Sequence, residues 1–192
     1  MKSLQECITD NIAIPTSELE TIADTFRSRS LSKGEYLLRA GSPCREMAYI
    51  ESGYLRMYDV VEGEEITIWV GSEGSFITSL SSFMLRQPNY WNIQAVTDAR
   101  LQVIGRDDHI DLLEQVPKWL EFDNLILTRA FAMLEQRLLS QLHTTARERY
   151  ENLLDENPEI FNHVPLQHIA SMLGIKPETL SRLRKNRYEV NS

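Results

Sequence analysis

The spacing of apolar side chains divides the chain into three stretches, and the first is a short helix. Apolar residues recur there at intervals of three or four positions, which predicts a helix over residues 17–27. These residues are Leu19, Ile22, Ala23 and Phe26. Ser17 and Glu20 have the spacing of a capping box, so we expect Ser17 to begin this helix.

The second stretch, residues 28–105, has the pattern of β-structure. Its apolar runs are short, and it contains seven of the eight glycines in the chain. The run from Ile66 to Val70 alternates with the two-residue period of a strand, and residues 61–65 before it have the composition of a hairpin turn. The predicted strands are 36–39, 47–50, 54–61, 66–70, 93–97 and 101–104. Short strands at such close spacing are typical of an antiparallel sandwich or barrel.

From Asp107 onward the pattern is helical. A short helix that opens at Asp107 ends at Pro117, and a long helix without Gly or Pro follows from Lys118 to about His143. The long helix carries a three-four repeat over about three heptads, which is the seam of a coiled coil. The seam consists of Leu120, Asn124, Leu127, Phe131, Leu134 and Leu138. A further helix is predicted near 145–154.

The long helix has a second apolar flank, and this flank bears on how the helix packs. It is formed by Trp119, Phe122, Ile126, Ala130 and Met133. A helix packed only on its own domain remains one interpretation, but two flanks favour one face on the sheet and one on a partner chain. We therefore expect a homodimer in which Asn124 fixes the register. The expected interface residues are Leu127, Phe131, Leu134 and Leu138.

Residues 166–185 carry the spacing of a helix-turn-helix. Counted from Leu166, Ala170 is fifth and Gly174 is ninth. The small alanine lets two helices approach closely, and the glycine permits the left-handed backbone of the turn. Pro177 suits the first turn of the second helix, where its missing N–H would be unpaired in any case. The apolar wedge positions hold Ile169, Leu173, Ile175, Leu180 and Leu183. An ordinary helical hairpin would not need all these positions in register, so the pattern predicts a DNA-binding motif.

The charge distribution changes what the composition implies. The 192 residues include 20 Lys and Arg against 28 Asp and Glu, a net charge of −8 that by itself argues against nucleic-acid binding. Residues 163–188, however, hold five basic residues and one acidic residue, a net of +4, so the remainder carries −12. A basic helix on an acidic body is the expected footprint of a protein that binds DNA in one orientation.

Together these segments resemble the Crp/Fnr family of transcription regulators over roughly residues 28–187. The matching segments are KGEYLLRAG (33–41), AYIESGYLRMY (48–58), GEEITIWVGSEGSF (63–76) and LGIKPETLSRLRK (173–185). The resemblance implies an α+β protein with a cyclic-nucleotide-binding-like antiparallel jelly roll, a long dimerisation helix and a C-terminal winged-helix, helix-turn-helix reader. The sequence ends a few residues after the second helix of the motif, so we expect no strands to follow it.

The resemblance also implies which side chains would contact DNA. Family members with a Glu-x-x-Ser-Arg pattern on the recognition helix, here about 177–186, read bases with those three side chains. The matching residues are Glu178, Ser181 and Arg182. We expect the more exposed basic residues to contact phosphates, namely Lys176, Lys185 and Arg187. The alternative is that Glu178 only caps the helix and that Arg182 only pairs with it.

An effector site in the roll is implied as well, but the residues that hold cyclic AMP in the family are absent. Those relatives use a Gly-Glu-Leu stretch and an Arg-Ser pair, and this chain has Thr78-Ser79-Leu80 and Asn89-Tyr90 at these places. A buried cyclic phosphate would lack a cation, because Arg86 lies several residues too early. We therefore expect a degenerate cyclic-nucleotide site and an unknown small-molecule effector.

No cofactor and no metal site are expected. Cys7 and Cys44 cannot supply the four thiolates of an iron–sulfur cluster. No histidine precedes His109, which argues against a haem site in the roll and against a metal-dependent cupin enzyme. The four histidines, 109, 143, 163 and 168, are expected to be surface or satisfied core residues. Cys44 is expected to be a small half-buried residue, with a reactive low-pKa thiol as the alternative.

The sequence thus predicts a sensor domain over 1–117, a dimerisation helix over 118–143 and a DNA-binding domain over 144–192. The sensor domain is expected to have Phe83, Trp69, Tyr90 and Trp91 in its core, with an apolar pocket for the effector, lined by these residues, as the alternative. We expect a homodimeric, sequence-specific transcription regulator and not an enzyme. The expected partners are palindromic double-stranded DNA, a second copy of the chain, RNA polymerase and the unknown effector. The alternative is a ligand-binding or protein-interaction jelly roll that no longer reads DNA. No apolar run reaches the ~18 residues of a membrane span, and the start has no signal-peptide pattern, so we expect a cytoplasmic location.

Overall fold

The computed structural model describes residues 2–190, with side chains described as far as Asn186. Two helices precede the roll, α1 (Leu4–Thr9) and α2 (Thr16–Thr25), and a third, α3 (Leu80–Leu85), interrupts it. The strands are β1 (Arg27–Leu31), β2 (Tyr36–Leu38), β3 (Glu46–Ser52), β4 (Leu55–Val61), β5 (Glu64–Gly71), β6 (Phe76–Ile77), β7 (Asn92–Ala95) and β8 (Ala99–Gly105). The later helices are α4 (Arg106–Gln115), α5 (Pro117–His143), α6 (Ala146–Glu156), α7 (Ile160–His163), α8 (Leu166–Met172) and α9 (Pro177–Val190).

The eight strands form two antiparallel four-stranded sheets, which confirms the predicted sandwich. One sheet has the order β1-β8-β3-β6 and the other the order β2-β7-β4-β5. The inner faces of the sheets enclose one apolar core, whose fully buried members include Tyr49, Leu55, Ile93 and Leu101. All six predicted strands are present. β1 and β6 were not predicted, because β1 has only one apolar residue, Leu31, and β6 has only two residues.

The N-terminal helices correct the predicted capping box. α2 begins after Pro15, whose extended backbone provides no side-chain cap, and Ser17 lies inside the helix. The box is instead formed one helix earlier, where the Ser3 hydroxyl accepts from the Glu6 amide at 3.1 Å. In return the Glu6 carboxylate accepts from the Ser3 amide at 2.7 Å. Proline sets the start of α2 because its fixed φ favours the extended residue that precedes a helix.

The start of the long helix α5 is anchored in the core of the roll. Trp119 and Phe122 are fully buried, so this flank packs on its own domain as predicted, although Met133 further along is 42% exposed. The Trp119 indole donates to Nδ1 of buried His109 at 3.3 Å, and His109 Nε2 lies 3.8 Å from Asp123 Oδ1. Burial lowers the pKa of His109 to about 4 and raises the pKa of Asp123 to about 6. His109 is therefore a satisfied core residue.

Burial along β5 departs from simple alternation. A register shift opposite Met57 and Tyr58 leaves one extra residue in β5, and Thr67 is 1% exposed whereas Ile66 is 41% exposed. The sheet alone does not bury Thr67. Helix α8, 100 residues further along the chain, packs against this strand and covers it, which strand periodicity cannot indicate.

The C-terminal helices enclose a second, smaller core. α6 begins with a capping box in which Thr145 Oγ1 accepts from the Glu148 amide at 3.3 Å, close to the predicted start. The core is formed by buried residues of α6 to α9 together with two residues of the roll, Val70 and Val96. Among the described residues no strand follows Gly105, so the winged part of the predicted DNA-binding fold has no counterpart there.

Candidate nucleic-acid interface

The helix pair α8–α9 has the turn geometry that the spacing predicts. Gly174 lies between the helices with φ +66°, a backbone conformation that favours glycine. Ala170 in α8 and Leu180 in α9 are both fully buried, so the two helices pack closely where the small residue was expected. The other wedge positions, Ile169, Leu173, Ile175 and Leu183, are all part of the same core.

The outer face of α9 presents its polar side chains to solvent. Glu178, Ser181 and Arg182 are all exposed. No ion pair joins Glu178 and Arg182 in the part of the chain that the structure describes, and the Arg182 guanidinium lies 3.5 Å from the Thr179 hydroxyl instead. The two charged groups are therefore not neutralised by each other, which is the arrangement that base contacts would require.

The predicted phosphate contacts lie at the two ends of this face. Lys176 is exposed in the turn before α9, and Lys185 is exposed two helical turns further along. Arg184 is half-buried, with its guanidinium 6.0 Å from the centre of the Phe161 ring. The side chain of Arg187 lies outside the described residues. The two lysines thus lie at opposite ends of the polar face.

The seam of α5 is exposed along the second half of the helix. Phe131 is 65% exposed, Leu134 56% and Leu138 63%, whereas Leu127 is half-buried. Leu142, one further turn along, is 68% exposed. A row of large apolar side chains on a single helix is an unusual surface for a monomer, because apolar patches of this kind mark interaction sites.

Helix α8 is joined to the roll through a buried arginine of β4. The Arg56 guanidinium donates to Gln94 Oε1 at 2.7 and 3.2 Å and to Glu65 Oε2 at 2.6 Å. It also lies 2.9 Å from Nδ1 of His168 in α8. With 5% exposure, Arg56 is a buried cation whose partners come from two neighbouring strands and from the helix pair.

Further polar contacts hold the helix pair in place. The Thr67 amide of β5 donates to the Ser171 hydroxyl at 2.8 Å. On the other side, the Arg137 guanidinium of α5 donates to the Met172 carbonyl at 2.8 Å. In α7, just before the pair, the ring of His163 stacks on the ring of Tyr54 with centroids 5.3 Å apart. The helix pair is thus positioned by both the roll and the end of α5.

The loop that would hold a cyclic phosphate is organised by Asn89. This residue is buried, and its side-chain amide donates to the carbonyls of Arg39 and Trp91 at 2.9 and 2.8 Å. Its Oδ1 accepts from the Trp91 amide at 3.0 Å. The side chain of Asn89 is therefore engaged in hydrogen bonds that hold its own loop in shape. Tyr90 is 64% exposed, so its predicted place in the core is wrong, because the turn around Asn89 directs it outward.

The other half of that site is equally unlike a phosphate clamp. Ser79, in place of the ribose-binding carboxylate, is buried, and its hydroxyl finds no hydrogen-bond partner among the described residues. Arg86 is exposed at the end of α3, with φ +54°. A cavity of about 240 Å³ lies nearby, lined by Leu37, Leu38, Ile93 and residues 43–46. Its lining is mainly apolar, with one charge of each sign at Arg45 and Glu46.

Cys44 lies in the wall of this cavity and is more buried than expected. It is 2% exposed, and its thiol lies 3.2 Å from the Thr78 hydroxyl and 3.3 Å from the Glu46 carbonyl. The Arg106 guanidinium links the segment of Cys44 to α3 by donating to the carbonyls of Cys44, Ser82 and Phe83. Burial on this scale favours the packing role over a reactive thiol.

Within residues 2–186, no group of three or more His, Cys, Asp or Glu side chains is arranged to hold a metal ion. None of the described helices is long and apolar enough to cross a bilayer.

The chain is similar to known proteins in both sequence and fold. The cyclic nucleotide-binding domain family matches residues 28–116. This segment has the fold of a cyclic nucleotide-binding domain. No curated protein matches the sequence.

Solved structures extend the likeness beyond the roll. FixK2 from Bradyrhizobium japonicum superposes with a TM-score of 0.74 at 16% identity, covering 86% of each chain. The c-di-GMP responsive global regulator CLP from Xanthomonas campestris gives 0.70 at 15%, covering 92% of this chain and 93% of that one. A regulator from Eubacterium rectale assigned to the Crp/Fnr family gives 0.68 at 20%, covering 92% and 85%. The chain therefore shares the fold of these solved regulators, including one assigned to the Crp/Fnr family.

Several residues that join α8 to the roll were not predicted. Arg56 is a single cation in the middle of a strand, which could have marked it as unusual. Its partner His168, however, is 112 residues away, and no local pattern connects the two. Ser171 likewise gave no signal, because its contact with β5 is set entirely by how the helix pair packs.

Proposed function

We propose that the protein is a homodimeric, sequence-specific DNA-binding transcription regulator of Crp/Fnr type. The observation that carries this proposal is the outer face of α9, where Glu178, Ser181 and Arg182 are exposed and unpaired with one another on a helix that a glycine turn holds against α8. Such a face fits the major groove, which admits one α-helix. The shared fold with Crp/Fnr regulators supports it.

Each side chain on this face suits a particular contact. An arginine bonds guanine O6 and N7, a glutamate accepts from the N4 amino group of cytosine, and a serine adapts to several bases. Arg182 and Glu178 are therefore assigned to base edges and Ser181 to an adaptable contact. Lys176 and Lys185 at the ends of the face are assigned to phosphates. The same role is proposed for Arg187 from its sequence position alone.

The dimer follows from the exposed seam of α5. Pairing Phe131, Leu134 and Leu138 with their copies across a two-fold axis would cover side chains that are more than half exposed in the single chain. Two α9 helices related by that axis would read half-sites about 34 Å apart in a palindrome. RNA polymerase is the further partner that this function implies.

The effector of the roll is proposed to be a small molecule other than cyclic AMP. Asn89 is fully used within its own loop and Ser79 cannot replace a carboxylate, so neither the phosphate nor the ribose of cyclic AMP has its usual partner. The site is thus a degenerate cyclic-nucleotide site.

Binding-site selection on random duplex DNA tests the proposed function. The parent protein should enrich a palindromic motif, and Arg182→Ala should lose about 1–3 kcal/mol of binding and relax its preference at one base pair per half-site. Lys185→Ala is the matched control, because loss of a phosphate contact should weaken all sequences alike and lower the salt slope by about one. If the parent enriches no motif, the chain is a ligand-binding or protein-interaction module. If parent and Arg182→Ala enrich the same motif equally, Arg182 does not read bases.

A further inference from the structure

The contact between α8 and the roll depends on a donor-only group. A guanidinium has N–H donors and no acceptor. The nitrogen of His168 that lies 2.9 Å from Arg56 must therefore accept, so Nδ1 is unprotonated and the imidazole is neutral with its proton on Nε2. Any other protonation state would place two N–H groups against each other.

Protonation of His168 would convert this hydrogen bond into a repulsion between two cations. The charged groups that face the imidazole are Arg56 from β4 and the Glu65 carboxylate from β5, while Gln94 of β7 is uncharged and α8 itself has no charged residue. Burial and Arg56 lower the pKa of His168, and Glu65 opposes them only in part. The docked arrangement therefore disfavours the protonated imidazole.

A second contact with the roll lies on the same face of α8. His168 and Ser171 are three residues apart, so they lie on one side of the helix. Ser171 receives the Thr67 amide of β5, which has this hydroxyl as its acceptor in place of a strand partner. We call these four residues, Arg56, Thr67, His168 and Ser171, the α8 latch.

We propose that the α8 latch closes only while His168 is neutral, so that acidification releases the helix pair α8–α9 from the roll. Released, the pair would keep its contact with α5 through Arg137 but would lose the orientation that the roll imposes on it. The effect on DNA binding rests on the proposed function, whereas the latch itself does not.

The size of the effect follows from proton linkage. A free imidazole has an ordinary pKa of 6.5, and the latched imidazole has a lower one. Between these two values, the ratio of open to closed latch should rise by up to ~10-fold for each unit that the pH falls. Above pH 7 the latch should be closed and insensitive to pH, because His168 is then neutral in both states.

Hydrogen exchange at the Thr67 amide measures the latch directly. In the full chain, its protection factor, corrected for intrinsic exchange, should fall by up to ~10-fold per pH unit below about 6.5. The Ala95 amide, which bonds to the Glu35 carbonyl at 2.8 Å, should keep its protection and so exclude general unfolding. His168→Gln retains an acceptor that does not titrate and should make Thr67 protection independent of pH. His143→Gln, at an exposed position at the end of α5, should behave like the parent.

Two results would overturn the proposal. One is constant Thr67 protection in the parent between pH 7.5 and pH 5.5, and the other is an unchanged pH profile in His168→Gln. If that variant does not fold, NMR titration of the parent decides the matter, since His168 must show the Nε2–H form and a pKa below the ordinary 6.5. A latch that opens in a protein without DNA affinity would leave this proposal standing and refute the proposed function. DNA binding with a latch insensitive to pH would do the reverse.

Discussion

Two carboxylates placed in the seam of α5 should separate the dimer without unfolding the subunit. In Leu134→Asp with Leu138→Asp, both replaced side chains are more than half exposed in the single chain, at 56% and 63%. The folded subunit therefore loses little packing. A dimer, in contrast, would have to bury four carboxylates against one another, which is costly because like charges are desolvated together.

The magnitude follows from the apolar surface still available in the subunit. Full burial of a leucine side chain is worth about 1.5–3 kcal/mol, and roughly 60% of each side chain is still exposed, so each leucine contributes about 1–2 kcal/mol to dimerisation. Four leucines in the dimer then contribute about 4–8 kcal/mol. At about 1.4 kcal/mol per tenfold change, the dissociation constant should rise by roughly three to six orders of magnitude, before any repulsion is added.

Sedimentation velocity between 0.1 and 100 µM is the assay, with the 22.2 kDa chain as the mass reference. The parent should sediment at twice this mass and the double variant at this mass. Leu85→Asp is the matched control, because Leu85 is 69% exposed on α3 and lies outside the seam. A double variant that remains dimeric, or a parent that is monomeric at micromolar concentration, would show that the seam does not carry the dimer. The variant should still unfold cooperatively, at a lower temperature than the parent because it lacks the stabilisation that dimerisation provides.

Two further predictions concern the roll and its anchor. Cyclic AMP should show no micromolar binding by titration calorimetry, because Asn89 supplies no cation for its phosphate; one site per subunit at micromolar affinity would refute this. Burial raises the pKa of Asp123 from 3.8 to about 6, so ionisation opposes folding and stability should fall as the pH rises through this window. Asp123→Asn should then be more stable than the parent by up to about 3 kcal/mol at pH 8 and no different below pH 4. Urea unfolding measures this difference, and equal stability at pH 8 would contradict the assignment.

The periodic elements of this protein could be predicted from the sequence, because their patterns lie within short stretches of the chain. α5 and the wedge of the helix pair depend on repeats within a few turns, and the structure places Ala170 and Gly174 as their spacing indicated. The strands of the sandwich were found for the same reason, except for β1 and β6, which contain too few apolar residues to show a period. Ser17 does not cap α2, because the helix already begins after Pro15, whose ring fixes φ and whose side chain offers no hydrogen-bond acceptor.

The contacts between the roll and the helix pair could not be predicted. Arg56 is buried by residues from β7, β5 and α8, and none of these is near it in sequence. Thr67 is buried because a distant helix covers it, against the alternation of its own strand. These pairings depend on how the helix pair packs against the roll, and the periodicity of a single sequence does not reveal that packing.

The position of β5 at the end of its sheet gives α8 a protective role. A terminal strand with unpaired backbone amides is a template for association with other chains, and proteins usually block such strands with charges, bulges or covering segments. Here the Ser171 hydroxyl occupies the Thr67 amide, and a bulge distorts the same strand. A fragment ending at residue 143 would lose the cover over the Thr67 amide, next to Ile66, which is already 41% exposed, so it should self-associate through β5. The helix pair therefore contributes to the solubility of the roll.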